Sequence, residues 1–190
     1  MILPIYTYGQ RILKKVAISL DQSYDGLEDL VKNMWETMYK AKGVGLAAPQ
    51  VGHSIRLFIV DTTHIEDEEN EHIGFKSVFI NAQKIDETGK EWEYEEGCLS
   101  IPDIRGDVER PERLHIRYLD DNFNQQETTF EGINARVIQH EYDHIEGVLF
   151  TERLKPLKKR RIKRKLESIR QGIVEADYAI RPNAIRTNRG

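Results

Sequence analysis

An α+β fold in a single domain is what this sequence predicts, and three observations predict it. Short runs rich in Val, Ile, Phe and Tyr fill the middle of the chain between Gly, Pro and Asn/Asp turn signals. A helical pattern carrying Gln139-His140-Glu141-Tyr142-Asp143-His144 follows them, and a strongly basic helical pattern comes after that. The 190 residues suffice for one domain with a real core, and nothing repeats at a fixed period.

Beyond the N-terminal arm, Asp25-Gly26-Leu27-Glu28 has the form of a capping box. Leu27, Leu30, Val31, Met34 and Met38 then make one apolar stripe, which predicts a helix ending near Lys42. Trp35 and the methionines are core residues on this reading, because a stripe at this period needs no cofactor. Gly43-Val44-Gly45-Leu46-Ala47-Ala48-Pro49-Gln50 is too short and apolar for a dinucleotide loop. Its glycines permit close approach of another backbone, so it is either a rim for an extended peptide, with Gln50 as amide donor, or a tight helix-to-strand turn.

Ser54 to Asp61 has strand composition, and 66–72 is acidic and polar, an exposed loop by composition. Further strands are predicted over Ser77 to Ile85, Glu91 to Tyr94, Leu114 to Asp120 and Thr128 to Phe130. Ile133, Val137 and Ile138 lead into the histidine motif at helical spacing, with Gly147 placed to end the helix. Over 156–170, Lys158-Lys159-Arg160-Arg161 and Lys163-Arg164-Lys165 form a basic face, with Leu157, Ile162, Leu166 and Ile169 expected to point inward. The domain is predicted to span 1–172, and 173–190, read as lacking periodicity, to be a loosely held tail.

A net charge of −4 and a pI near 5.9 argue against a protein that coats nucleic acid with its whole surface, and no DNA partner is expected. No apolar run approaches the roughly 20 residues of a membrane span. The start carries neither a signal-peptide nor a transit pattern, so a cytoplasmic location is the expectation. Cys98 is the single cysteine, which excludes an internal disulfide and fits a reducing compartment.

His140 and His144, four apart, share one helix face and could hold a metal ion, with Glu141 beside it to take a proton from water. Metal-dependent hydrolysis is the reading that uses all three; the alternative is a chance pattern on a surface helix. A third ligand is needed. The extended protease pattern HExxHxxGxxH matches as far as Gly147 but has Phe150 where its last histidine belongs, and neither Glu146 nor Glu152 has the long downstream separation of a glutamate ligand. Cys98 is the remaining candidate, although a lone cysteine is most often a small buried hydrophobe.

Three blocks, Glu96-Gly97-Cys98-Leu99-Ser100, the QHExDH helix and the GxGLAAxQ rim, together closely resemble peptide deformylase, in that family's order, from the N-terminal arm to about Arg170. The resemblance implies mainly antiparallel strands packed around a central HExxH helix, followed by a C-terminal helix. It implies Cys98, His140 and His144 as ligands of one divalent metal, with Fe2+ expected and Zn2+, Ni2+ or Co2+ able to replace it. It implies Glu141 as proton acceptor, and the Leu99 backbone N–H and Gln50 amide as donors to the oxyanion, in removal of formate from N-formylmethionyl nascent peptides. Val44, Gly45 and Val137 would border the methionine side chain or peptide backbone, and Arg105 could face the substrate. Arg136 stands where an apolar pocket residue would be expected, and Arg110 or Arg113 could support Asp143. The basic helix could contact ribosomal RNA. The competing readings are an HExxH metalloendopeptidase and a catalytically inactive ribosome-associated metal protein.

Overall fold

The computed structural model describes residues 1–65 and 73–184; the acidic loop expected over 66–72 and the last six tail residues lie outside them. Chain order is β1 (Ile5–Tyr6), α1 (Leu27–Lys40), β2 (Gly45–Ala47), β3 (Leu57–Asp61), β4 (Lys76–Cys98), β5 (Ile101–Leu119), β6 (Gln125–Glu131), α2 (Gly132–Ile145), α3 (Pro156–Arg170) and β7 (Ile180–Arg181). The five strands β2 to β6 form one antiparallel sheet in sequence order, and β1 pairs with β7 in parallel. The mixed α+β class is therefore observed. No helix among the described residues is long and apolar enough to cross a membrane.

Helix α1 starts later than its sequence suggests. Gly26, at φ +73°, is the residue before the helix and no side chain caps it, so the box expected at Asp25 does not form. Glu28 and Asp29 instead sit in the first turn, where carboxylates favour the helix dipole. Leu30, Met34 and Met38 bury the predicted stripe against β2 and β3, and Leu27 and Val31 pack partly against the same cluster.

The largest difference from expectation is the ribbon of β4 and β5. Gly89 and the charged residues around it read as a break, yet β4 runs unbroken through Gly89 (φ +86°), absorbing the irregularity as register shifts between Thr88 and Glu91 and at two earlier points. The segment 101–113, not assigned to any element, is strand as well. Its burial alternates from Asp103 to Arg110, with Ile104, Gly106, Val108 and Arg110 inward and Asp103, Arg105, Asp107 and Glu109 outward. Pro102, Pro111 and the outward charges disguise this period of two. The ribbon carries Cys98 to the end of β4, directly across from Ile101.

Helix α2 packs against β2, β3, β5 and β6, with Val137, Ile138 and Ile145 set against Phe58, Phe79 and Ile116. It ends as Gly147 predicts: at φ +71° this residue donates to the His144 carbonyl, and Val148 donates to that of Asp143. A third cluster joins Ile162 and Ile169 of α3 to Ile101, Ile104, Val108, Phe150 and Leu154. Leu157, expected inward, is 60% exposed, and Leu154, just ahead of the helix, is the leucine buried in this cluster.

Within the described residues, 173–184 of the expected tail are fastened to the rest of the fold. Burial alternates residue by residue from Gly172 to Ile180, with Val174, Ala176, Tyr178 and Ile180 inward and their neighbours outward. Ile5 and Thr7 donate backbone hydrogen bonds to the carbonyls of Ala179 and Arg181. The apolar pattern of the tail has the period of a strand.

Candidate functional site

Two elements remote in sequence meet at the site. Helix α2 turns His140 and His144 to one side, ring centroids 5.1 Å apart, and the end of β4 brings Cys98 to them. Cys98 Sγ lies 3.2 Å from His144 Nε2, and one ligand atom from each of the three residues falls within 4.8 Å of the others. Gln50 completes the near side. Its Oε1 accepts from the Ala47 N–H at 2.8 Å, so its NH2 must face Ser100 Oγ, at 3.2 Å, and Cys98 Sγ, at 3.5 Å.

Glu141 is buried beside the two histidines, and its Oε2 has no hydrogen-bond partner among the described residues. Gly45 makes room for it: a Cβ there would overlap the Glu141 carboxylate. The glycine expected to border a peptide backbone is thus also required by the acid.

Behind the histidines lies a network that the sequence reading mostly missed. Glu96 Oε2 is 2.9 Å from His140 Nδ1, which fixes that ring, while His140 also bonds to Cys98. Glu96 is held in turn by Arg110, through Nε at 2.7 Å and Nη2 at 3.0 Å, and by Arg136 Nη1 at 3.1 Å. Arg110 also donates to Asp143 at 2.8 Å, and Arg153 grips the same carboxylate through two bonds of 2.6 Å. Of the two arginines considered for Asp143, Arg110 takes the place and Arg113 pairs with Glu131 at the surface. Arg136, which stands where an apolar pocket residue was expected, lines the groove and is buried, bonded to Glu96 and to the Trp92 and Val108 carbonyls, and stacked over Trp92.

Electrostatics follow from this arrangement. Burial alone would push the Cys98 thiol up, but the neighbouring His144 and His140 outweigh it and hold it down at about 5. Burial likewise disfavours a charged His140, yet its bonds to Cys98 and Glu96 keep its pKa well above the usual imidazole range. Glu141 goes the other way: burial raises it to about 7, with the negative charges of Cys98 and Glu96 adding to the effect and the imidazoles opposing it. Burial would also raise Glu96 and Asp143, but the His140 and arginine contacts keep both below the ordinary carboxylate range. A thiolate sharing a proton with imidazoles is a donor set that a divalent cation can occupy by displacing that proton, and two imidazoles with a thiolate suit several first-row metals. The residues therefore fit a metal.

A groove of about 960 Å³ opens over these groups. Val44, Gly45, Gln50, Leu99, Arg105 and Val137 all line it, together with Cys98, His140 and Glu141. Arg105 stands at the exposed rim, 3.5 Å from Glu95. Tyr178, which no motif marked, lines the same groove.

A family model described as "Polypeptide deformylase" matches residues 2–160. The chain belongs to the polypeptide deformylase family. A peptide deformylase from Christiangramia forsetii is 51% identical, the alignment covering 97% of this chain and 98% of that protein. One from Flavobacterium johnsoniae is 48% identical over the full length of both. Among solved structures, a peptide deformylase from Legionella pneumophila superposes with a TM-score of 0.77 at 38% identity, covering 88% of this chain and 95% of that one. A class I type b peptide deformylase from Acinetobacter baumannii, solved bound to Met-Ala-Ser, gives 0.74 at 36% identity, covering 81% and 99%. Membership of a deformylase family removes the endopeptidase reading. Phe150, where that pattern needs a histidine, is buried with its ring 6.1 Å from that of His140.

Proposed function

We propose that this chain hydrolyses the N-formyl group of N-formylmethionyl nascent peptides, releasing formate, with Cys98, His140 and His144 holding one divalent metal. The observation that carries this is the convergence of those three ligand atoms beside the buried, unpartnered oxygen of Glu141. Fe2+ is the native ion on this reading, and Zn2+, Ni2+ or Co2+ can take its place. A cation there supplies Lewis-acid polarisation of the formyl oxygen and of a water proton.

The protein's own groups do the rest. Glu141, raised toward neutrality by burial, is matched to accepting a proton from water and giving it back. As the water oxygen attacks the formyl carbon, negative charge develops on the formyl oxygen, and on this reading the Leu99 N–H and the Gln50 amide are its donors. The bond from Ala47 fixes which end of the Gln50 amide faces the site, so that its NH2 is the end presented. The C–N bond then breaks, and Glu141 passes its proton to the leaving amine. Val44 and Val137 offer apolar contact to the methionine side chain and Arg105 lies at the rim, in keeping with the Met-Ala-Ser bound to the Acinetobacter baumannii relative. Such substrates arise at the ribosome, which suits a cytoplasmic location.

Metal-loaded protein should release formate from formyl-Met-Ala-Ser and leave an internally quenched peptide uncut. Internal cleavage without formate would contradict the assignment.

Helix α3 gives this reading a docking surface, since a face bearing Lys159, Arg160, Lys163 and Arg164 in the open can contact ribosomal RNA phosphates. Lys158, Arg161 and Lys165 border the groove, so the test uses the other four. Replacing Lys159, Arg160, Lys163 and Arg164 by Gln should weaken ribosome association in co-sedimentation by about tenfold or more and flatten its salt dependence. Turnover of free formyl peptides should not change. Association at the wild-type level would remove the RNA contact from the account.

A further inference from the structure

The chain after α3 reaches the candidate active site by a route the family model, which ends at residue 160, does not cover. Helix α3 ends at Arg170, and Gly172, at φ +82°, turns the chain, with Gly172 and Ile173 donating to the carbonyls of Ile169 and Ser168. The chain then runs without helix to β7, bending at Asp177 and Tyr178, and is fastened to the N-terminal arm at several points. Asn183 Nδ2 donates to the Tyr8 carbonyl at 2.9 Å, the Gln10 amide to the Arg181 carbonyl, and Arg181 lies over the Tyr6 ring and donates to its hydroxyl. Between the end of α3 and these anchors, the Tyr178 hydroxyl donates to the Leu99 carbonyl at 2.8 Å. The arm holds the next residue, since the Tyr8 N–H donates to the Ser100 carbonyl at 2.8 Å.

Both carbonyls of the turn that follows Cys98 are thus pinned, that of Leu99 by Tyr178 and that of Ser100 by the N-terminal arm, while Gln50 meets the same turn at Ser100 Oγ. We propose that residues 174–183 form a strap that fixes the Cys98–Leu99–Ser100 turn, and that Tyr178 is a positioning residue for deformylation. Its hydroxyl orients the backbone that presents the Leu99 N–H. The proposal rests on the deformylase reading of the site given above.

The physical reason for such a device is that a backbone donor stabilises an oxyanion only if it is already aimed, and a loop holding one side of an active site loses that aim through small displacements. Tyr178 is suited to the task. Its ring is half-buried against the α1 cluster together with Leu99, and its position is set by strand pairing two residues further on.

Tyr178→Phe in the full chain keeps the ring and deletes only the donor. Loss of one such bond predicts about a fivefold to tenfold fall in kcat for formyl-Met-Ala-Ser, with KM and melting temperature close to wild type. Amide hydrogen exchange at Leu99 and Ser100 should accelerate by a similar factor, about fivefold to tenfold, and this is read without turnover. Wild-type kcat together with wild-type exchange at Leu99 and Ser100 would overturn the proposal, as would a change confined to KM. If the wild-type protein itself released no formate, the deformylase reading would fail, and the exchange measurement would still decide whether the strap holds the turn.

Discussion

Glu141→Gln should lower kcat for formate release by about three orders of magnitude while leaving one metal per chain, within the range of about 10²–10⁴ for loss of a general base. The substitution keeps the shape that Gly45 accommodates and removes only the capacity to accept and return a proton. The expected pattern is a fall in kcat with KM little changed, because the carboxylate acts on water and the leaving amine rather than on bound peptide. Metal analysis of the purified variant, run beside the formate assay, separates this from loss of the ion. Activity within about tenfold of wild type would show that another group carries the proton.

Arg110→Met has the largest expected effect on stability. Arg110 is 3% exposed and bridges two buried carboxylates, Glu96 and Asp143, and removing it leaves Arg136 and Arg153 to balance charges that it had shared. Breaking a buried network in this way costs about 3–5 kcal/mol. In a domain of this size that amounts to a fall of roughly 6–20 °C in Tm by calorimetry. Glu96 would also orient His140 less firmly, so metal affinity should drop by about tenfold or more.

The pH dependence has a definite sign. Glu96 and Asp143 have folded-state pKa values below their unfolded ones, so their contribution to stability is complete above the unfolded values, near 4, and is lost as pH falls through and below that range. Wild-type Tm should therefore fall on acidification more steeply than that of the variant. A variant within about 1 kcal/mol of wild type at neutral pH would mean that Arg136 and Arg153 suffice.

Local signals were the legible part of the molecule. The spacing of His140 and His144, the apolar residues ahead of them and the reversal at Gly147 are all properties of a single helix, and each is where the sequence puts it. The helix capped by Gly26 and the strap near Tyr178 are also local, but their signals were overlooked: a glycine in the left-handed region moved one helix start, and a period of two passed for no period at all.

Pairings across the sheet were not legible. Glu96 lies two residues before Cys98 and reaches a histidine 44 positions later only because α2 is laid across the β4–β5 ribbon, which no spacing announces. Choosing between Arg110 and Arg113 depended on register. Being an odd number of residues apart on β5, they face opposite sides of the strand, one inward to Asp143 and the other outward to Glu131. The thiol was nominated by elimination and by resemblance to the deformylases, and the fold explains it: a hairpin whose bend between Cys98 and Ile101 falls beside the two imidazoles.

The central claim is that one cation is held by a sulfur from the sheet and two nitrogens from the helix. X-ray absorption at the metal edge of anaerobically purified protein reads that donor set directly. The account predicts one sulfur and two imidazole nitrogens in the first shell, with the sulfur lost in Cys98→Ala. A shell of nitrogen and oxygen alone in the wild-type protein would contradict it.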